Sequence, residues 1–315
     1  MSKSENSRRS SRLTQTFIYF GKLLRTFIFK NDWKTLPMAA IIAGVVASVV
    51  AANLFVTMEG TVTGTFALSC VCIWNGFFNS IQSVCRERDI VKREHRSGLH
   101  IVSYIMAHMI YQALLCAAQS VIVILLCSAM KVHFPTVSCV TPWPLVDIGI
   151  TVFLTSYAAD MMALMVSCMV RSTTTAMTLM PFLLIFQLVF SGSYFDLSGA
   201  AMKLTDLTIS KWSLTALCSQ GNYNELPMVS VWNSIFKMKD IVVDGEKPVL
   251  DLLRMVEKRG MREEFLKTTA GYNQNPAYIM SMDNVLKCWS VLIIFALAFA
   301  IVGLVALEYI DRDKR

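Results

Sequence analysis

The sequence predicts an all-α integral membrane protein with six transmembrane helices. Of its 315 residues, 55% are hydrophobic and only 16% are charged. Soluble domains carry about 25% charged residues, so this composition excludes a soluble enzyme and a nucleic-acid-binding module. A bilayer core requires about 20 predominantly apolar residues in a helix. Six runs of that length occur, at 36–58, 61–85, 99–130, 145–170, 172–195 and 288–307.

The distribution of basic residues predicts the orientation of these spans. Lys and Arg are enriched in the short cytoplasmic loops of membrane proteins. Here they concentrate before residue 35, within 86–96 and at 171, whereas 59–60 and 131–144 together hold one basic residue. We therefore expect a multi-pass protein of the cell membrane with both termini in the cytoplasm. The sequence contains no N-x-[ST] sequon, which favours a bacterial source.

Composition also divides the chain into consecutive parts. A long stretch of mixed charge between spans five and six predicts a large extracytoplasmic insert. Two of the nine cysteines, Cys139 and Cys218, fall on predicted outer loops, which leaves a disulfide between them open. The expected order is a disordered basic tail (1–12), a cytoplasmic amphipathic connecting helix (13–34), spans one to five (36–192), a segment that could re-enter the membrane (193–218), a small extracytoplasmic domain (219–287), the sixth span (288–310) and a cytoplasmic tail (311–315).

The loop between spans two and three is highly charged. Within residues 86–97, eight of twelve residues carry a charge. Ile90 and Val91 give the segment a small apolar side, and Gly98 suits the end of a helix. The pattern predicts a short charged helix at the cytoplasmic face. It could receive a soluble partner, or it could only fix the topology of the spans.

Two motifs give the sequence its resemblance to a family. The segment 74–110 resembles the same region of the G-subfamily (White-type), or type-2, ABC exporters, and is nearer still to bacterial relatives whose ATPase is fused to forkhead-associated domains. The residues that match are Gly76, Ser80, Ile81, Glu87, Arg88, Ile90, Arg93, Glu94, Gly98, Leu99 and Tyr104. A second match, P-x-x-L-x-x-Q-x-x-F-S-G with a later Trp, is carried by Pro181, Gln187, Phe190, Ser191, Gly192 and Trp212.

The resemblance implies a permease that works with an ATPase. In that family the 86–98 segment is a coupling helix that docks on the ATPase, with the connecting helix beside it. By resemblance, the residues that would carry the contact are Glu87, Arg88, Arg93 and Glu94. The chain has no G-x-x-x-x-G-K-[ST] phosphate-binding loop. We therefore expect a non-catalytic membrane component, with ATP and Mg bound by a partner ABC ATPase and a second copy or paralogue completing the exporter.

The resemblance also implies a substrate cavity between the two copies, lined by spans two and five. Asn75, Asn79 and Gln82 form a polar stripe on the second span beside Phe78. Polar residues in a span usually face protein or water rather than lipid. The fifth span contributes Thr178, Phe182 and Phe186. Such a surface suits an amphipathic, lipid-like, drug-like or peptide substrate, although helix packing and lipid contact would also explain it.

The sequence also allows a different class of function. Asp160 lies near the middle of the fourth span, and His108 in the third span is its one candidate partner. Such a pair would suit an ATP-independent secondary transporter, and the outer insert would suit a membrane sensor. The sequence shows no metal-ligand or nucleophile motif, so we expect no metal site, no catalytic residue and no cofactor in this chain.

Overall fold

The computed structural model describes residues 11–29, 32–192, 199–242, 246–271 and 273–309. The two predicted tails lie almost entirely outside these ranges, as does the start of the predicted re-entrant segment. The described residues form helices without a β-strand, so the all-α prediction is confirmed. The helices are α1 Arg12–Phe29, α2 Thr35–Val50, α3 Met58–Ser80, α4 Arg88–Arg96, α5 Ile101–Ala129, α6 Pro144–Met169, α7 Thr173–Val189, α8 Ala200–Thr205, α9 Ile209–Gln220, α10 Ser230–Lys237, α11 Pro248–Lys258, α12 Arg262–Gly271 and α13 Met282–Glu308.

Four helical stretches in the described part of the chain are long and apolar enough to cross a membrane. They are Met58–Arg96, Ile101–Ala129, Pro144–Met169 and Met282–Glu308. The other two predicted spans contain shorter apolar helices, α2 with 16 residues and α7 with 17. A 16-residue helix is about 24 Å long, which is less than the hydrocarbon core of about 30 Å. The six-span topology therefore stays a prediction.

The first helical hairpin turns earlier than the sequence predicts. The runs 36–58 and 61–85 leave only Glu59-Gly60 for the turn between them, and this placement is wrong, because both residues lie in the first turn of α3. The chain instead turns at 51–57, and Thr57 caps α3 by accepting a hydrogen bond from the Gly60 amide at 3.1 Å. Glu59 resembles a loop residue in sequence, but its carboxylate accepts from the backbone amides of Val229 and Ser230, at 3.3 and 2.7 Å.

Helices α3 and α6 form the centre of the bundle and approach each other closely at Gly76. A Cβ atom placed there would lie 2.4 Å from the Ser156 carbonyl oxygen and 2.8 Å from the Asp160 amide nitrogen. A glycine lets helix backbones approach this closely inside a membrane. Helix α13 packs along the other side of α6, where Trp289 donates to the Thr151 hydroxyl at 2.8 Å.

Helix α9 is a short helix buried among α3, α6 and α13. Hydroxyl groups join it to its neighbours, with Ser213 bonded to Ser69 and Thr155 at 2.8 Å each. Gln187 of α7 holds its first turn by accepting from the Ile209 amide at 2.9 Å. The buried hydroxyl group of Ser213 and the first backbone amides of α9 thereby have partners, as a low-dielectric interior requires. This arrangement places the second half of segment 193–218 inside the bundle.

The disulfide between Cys139 and Cys218 that the sequence left open does not form. Both thiols are free. Cys218 does not lie on a loop but within α9, where it is fully buried and 3.3 Å from the Thr65 hydroxyl. Cys139 lies on the loop before α6, and its amide donates to Asp147 at 3.0 Å. Apolar surroundings make a buried cysteine behave as a small hydrophobic residue.

The insert after α9 is attached to the bundle by side-chain hydrogen bonds. Asn284 at the start of α13 donates to the Ser219 hydroxyl at 2.9 Å and to two carbonyl groups of the preceding turn. Asn224 accepts from the Asn275 amide at 2.9 Å. Within the insert, Gly260 ends α11 with φ of +65°, a left-handed conformation that favours glycine. The insert therefore meets the bundle at the α3 and α13 N-termini.

Replacement of Gly76 by alanine should weaken the contact between α3 and α6. The added methyl group would press on backbone atoms, which cannot move as a flexible side chain can, so we expect a loss of about 1–3 kcal/mol. Thermal unfolding in detergent would measure it. Gly44→Ala is the matched control, because nothing lies within 4 Å of its Cβ position. Equal stability of the two variants would contradict the close packing.

Replacement of Glu59 by alanine should release the insert from α3. Two backbone amides would lose their acceptor, and hydrogen bonds to a charged group contribute about 1.5–3 kcal/mol. We expect amide hydrogen exchange at Ser230 to become at least about tenfold faster, since tenfold corresponds to about 1.4 kcal/mol. Asp283→Ala, which removes an exposed carboxylate at the α13 N-terminus, should leave that exchange rate unchanged. A Glu59→Ala variant with unaltered exchange would refute this attachment.

Candidate functional site

The charged helix α4 lies between two spans, and local sequence features determine where it begins, which side it buries and where it ends. From the end of α3 the chain passes through a turn at 81–84 and a 3-10 turn, Cys85–Glu87, into this helix. Val91 is its one buried residue and fixes which side faces the bundle. At its end Gly98 adopts φ of +111°, which lets the chain turn sharply into α5. The helix is thus joined to both neighbouring spans by short connections.

Helix α1 packs beside α4 through its polar side. Tyr19 donates to the Glu94 carboxylate, and the Lys22 ammonium lies 3.3 Å from the Glu87 carboxylate. Gln15 accepts from the His100 amide at 3.0 Å. Burial, followed by the hydrogen bond to Glu94, raises the pKa of the Tyr19 hydroxyl above its ordinary range. Tyr19 therefore stays protonated and remains a hydrogen-bond donor at physiological pH.

Arg88 fastens α4 to the end of α6. Its guanidinium donates to the carbonyl oxygens of Cys168 and Val170, at 2.7 and 3.0 Å. These are carbonyl groups at a helix C-terminus, which have no partner within the helix. A cation at that position is also favoured by the helix dipole. Arg88 thereby connects the charged loop to the span that forms the centre of the bundle.

The four residues predicted to contact the ATPase have different surroundings. Glu87, Arg88 and Glu94 bond within the chain, whereas Arg93 is exposed. Four exposed residues of α4 follow helical spacing and share one face, opposite the buried Val91: Asp89, Ile90, Arg93 and Arg96. We define these four residues as the outer face of α4; their contact with a partner stays a prediction.

Four of the predicted substrate-cavity residues line two adjoining cavities. A polar cavity of about 310 Å³ lies between α1, α3 and α5, and Phe78, Asn79 and Gln82 contribute to its wall. An apolar cavity of about 370 Å³ lies between α2 and α3, lined by Asn75, Phe78 and Asn79. Both volumes fall within the range of small-molecule sites. The polar stripe of α3 therefore faces open space as well as helix contacts.

The three predicted residues on α7 lie elsewhere. Phe182 is 67% exposed. Thr178 is also exposed, and its hydroxyl group bonds only to its own helix. The ring of Phe186 packs on the ring of Phe190, with the ring centroids 4.8 Å apart. They line neither of the two cavities. Within one chain the structure thus does not bring the predicted residues of α3 and α7 together; a shared cavity requires a second copy.

Asp160 and His108 do not form the pair that the sequence left open. Asp160 is fully buried and accepts from Cys116 at 3.3 Å and from Asn79 at 3.5 Å. Asn79 also exchanges two hydrogen bonds with Gln119, at 2.8 and 3.0 Å. The His108 ring instead packs on Tyr104 at 4.7 Å and borders the polar cavity. The acid belongs to a polar network between three helices.

Sequence reasoning missed the residues of α1 that hold α4. Tyr19, Lys22 and Gln15 are not on the apolar stripe of the amphipathic helix, and the polar side of such a helix usually faces water. Here the apolar residues Leu13 and Phe17 are exposed, at 73% and 68%, and the polar side faces protein. One sequence feature could have indicated these residues: the four-residue spacing of Gln15 and Tyr19 places both on one face of α1, and that face meets the charged loop.

Removal of the Arg88 side chain should destabilise the fold, whereas removal of Arg93 should not. Arg88→Ala leaves the carbonyls of Cys168 and Val170 without their donor, and we expect a loss of about 1.5–3 kcal/mol. Arg93→Ala should stay within about 0.5 kcal/mol of the parent chain, as surface substitutions usually do. Thermal unfolding of the purified chain in one detergent would measure both. Equal losses would contradict the assigned roles.

Comparison with known proteins agrees with this architecture. The model of the family described as ABC-2 type transporter matches residues 18–213, from α1 through the start of α9. No curated protein matches the chain significantly. The matched part includes α4, the polar cavity and the centre of the bundle, and it covers more than half of the sequence. The chain belongs to the ABC-2 type transporter family and is the transmembrane component of an ABC transporter.

Proposed function

We propose that this protein is the permease of an ATP-driven exporter of the G-subfamily type. It moves an amphipathic substrate outward, and a partner ABC ATPase docks on the outer face of α4. The observation that carries this proposal is the attachment of α4, which is bonded to α1 and α6 on its inner side and exposes charge on its outer side. Such a helix is held as a rigid element that a soluble domain can push.

The attachment supports a route for mechanical coupling. ATP and Mg bind to the partner ATPase, whose closure moves the outer face of α4. Because Glu87 and Glu94 are bound to α1 and Arg88 to the end of α6, a displacement of α4 moves those helices as well. Two packed arrangements of such a bundle, rather than a continuous deformation, are the usual basis of transport.

A second copy or a paralogue completes the substrate path. The exposed side of α7 carries Phe182, Ile185 and Leu188, which are 67%, 56% and 39% exposed. On α3, Trp74 and Phe78 are also exposed, at 42% and 45%. Aromatic side chains are enriched where protein surfaces meet and where amphipathic molecules bind. A cavity between these surfaces of two copies would accept an apolar or aromatic substrate.

The decisive experiment is purification of the chain from its native membrane in a mild detergent, followed by identification of co-purifying ATPase. We expect Arg93→Glu to weaken the association at least about tenfold, because charge complementarity fixes such contacts. The matched control is Arg259→Glu, which reverses an exposed charge at the end of α11 and should retain the ATPase.

Two results would overturn the proposal. A parent chain that purifies from its native membrane without any ATPase would refute the exporter. Association that survives Arg93→Glu unchanged would exclude the outer face of α4 as the docking surface. A similar loss in the Arg259→Glu control would show a non-specific effect of charge and would refute the assignment equally.

A further inference from the structure

The polar cavity between α1, α3 and α5 is lined by two buried side chains whose polar atoms have no protein partner. Both ring nitrogens of His108 and the Oε1 atom of Gln112 lack a hydrogen-bond partner, although the two residues are only 2% and 1% exposed. Buried polar groups in proteins are nearly always hydrogen-bonded. Both side chains line the cavity, so a molecule held there would supply the missing partners.

The two residues form one polar patch on the wall of a cavity that holds more than a single water molecule. They are four residues apart on α5, which places them on the same face of the helix. Thr26 of α1 and both Gln82 and Ser83 of α3 also line the cavity. Its volume of about 310 Å³ far exceeds the roughly 10–15 Å³ that one water molecule requires. The cavity therefore has room for a small polar group.

The unpartnered atoms define the chemistry of that group. An uncharged imidazole ring has one N–H donor and one acceptor nitrogen, and the oxygen of an amide accepts. His108 and Gln112 together therefore require two donors and one acceptor from a ligand. An anion only accepts, and an ammonium group only donates. A hydroxyl group donates once and also accepts, so a ligand with at least two hydroxyl groups satisfies both residues.

The charged side chains in the cavity walls do not indicate a charged ligand. They are Arg86 and Glu87. The Glu87 carboxylate lies 3.3 Å from the Lys22 ammonium, and Arg86 also interacts within the chain. Burying an unpaired charge is costly, whereas an uncharged group with hydroxyls matches the neutral polar side chains of the walls. The ligand that fits this cavity is therefore uncharged.

The polar cavity adjoins the surface that a second copy would cover. Phe78 contributes to the cavity wall and also belongs to the exposed side of α3, where the proposed substrate path runs. An amphipathic substrate between two copies would thus meet the cavity with its polar part, while its apolar part stays between the copies.

The three helices around the cavity are also the helices attached to α4. Helices α3 and α5 precede and follow α4 in the chain, and α1 binds it through Tyr19 and Lys22. A displacement of α4 would therefore change the spacing of the walls around His108 and Gln112. Since such coupling is reciprocal, a ligand in the cavity would favour one position of α4.

We propose that the polar cavity binds the polar part of the transported substrate, and that this part is an uncharged group with at least two hydroxyls, of the glycerol or sugar class. Its hydroxyl groups bond His108 and Gln112. The role in transport rests on the proposed function, whereas binding by the chain alone does not. Lipid head groups and free sugars share this chemistry, and the experiment separates these two sources.

The first test is thermal unfolding of the purified full chain without ATPase. A detergent that carries no sugar is required, because a glucoside or maltoside detergent would itself occupy the site. We expect monoglucosyl dioleoylglycerol to raise the unfolding temperature, as a ligand of the folded state does. Dioleoyl phosphatidylcholine, which has no hydroxyl group, should raise it much less.

A pair of glutamine variants assigns the effect to the cavity. Gln112→Leu should require at least about tenfold more glucosyl lipid for the same rise in unfolding temperature, which corresponds to the loss of one good hydrogen bond. Gln274→Leu makes the same change at an exposed position of the insert and should behave as the parent chain. Equal responses of the two variants would refute the site.

Three further results bear on the assignment. Without lipid, Gln112→Leu should be as stable as the parent or more stable, because an apolar group of similar shape replaces an unpartnered polar one. A large loss there would mean that Gln112 supports the fold and would overturn the site. Equal stabilisation by both lipids, or by neither, would leave water as the partner of these atoms and would also overturn it. A full effect of free glucose would support the same chemistry with a soluble sugar as its source.

The second test addresses transport in the complex with co-purified ATPase. The glucosyl lipid should stimulate ATP hydrolysis by the parent complex, and the Gln112→Leu complex should need at least about tenfold more lipid for the same stimulation. Binding without stimulation would refute the role of this ligand as a substrate. Absence of an ATPase would refute the exporter and leave the binding result of the chain alone intact.

Discussion

The close contact of α3 and α6 at Gly76 is the constraint on which the rest of the bundle depends. A side chain at this position would meet backbone atoms of α6 within 3 Å, so the two helices hold a fixed register. One end of α3 carries Glu59, which binds the insert. Its other end leads through the turns at 81–87 into α4. A helix that is fixed at its centre can therefore connect the two surfaces of the protein.

Hydrophobicity predicted the helices well because few backbone structures other than a helix can cross a bilayer. Backbone polar groups inside a membrane must bond within the chain, and a helix satisfies them from one continuous segment. Long uncharged runs therefore gave α5, α6 and α13 directly. The first turn was misplaced because Glu59 is charged and precedes a glycine, a combination typical of loops. Its carboxylate instead accepts hydrogen bonds from amides about 170 residues later. Local sequence patterns do not indicate contacts between residues so far apart in the chain.

The candidate site was predicted in part for the same reason. Segment 86–98 and the polar stripe of α3 are contiguous patterns, so both were visible in the sequence. The residues that they contact were not visible in the sequence. Lys22 and Tyr19 lie more than sixty residues from Glu87 and Glu94, and α9 is too short and too polar to resemble a buried helix. The hydroxyl groups of Ser213 and its neighbours become compatible with burial only when they meet one another.

The division of charges on α4 assigns the stability of the fold and the choice of a soluble partner to different residues, although these two requirements usually compete. The inner charges, Glu87, Arg88 and Glu94, are bonded to neighbours within the chain, whereas Asp89, Ile90 and Arg93 are exposed on the outer face. Changes at Asp89, Ile90 or Arg93 therefore carry little penalty in stability. A duplicated copy of such a protein can acquire a different soluble partner through these positions alone. Partner choice can then diverge between paralogues while the membrane bundle stays the same.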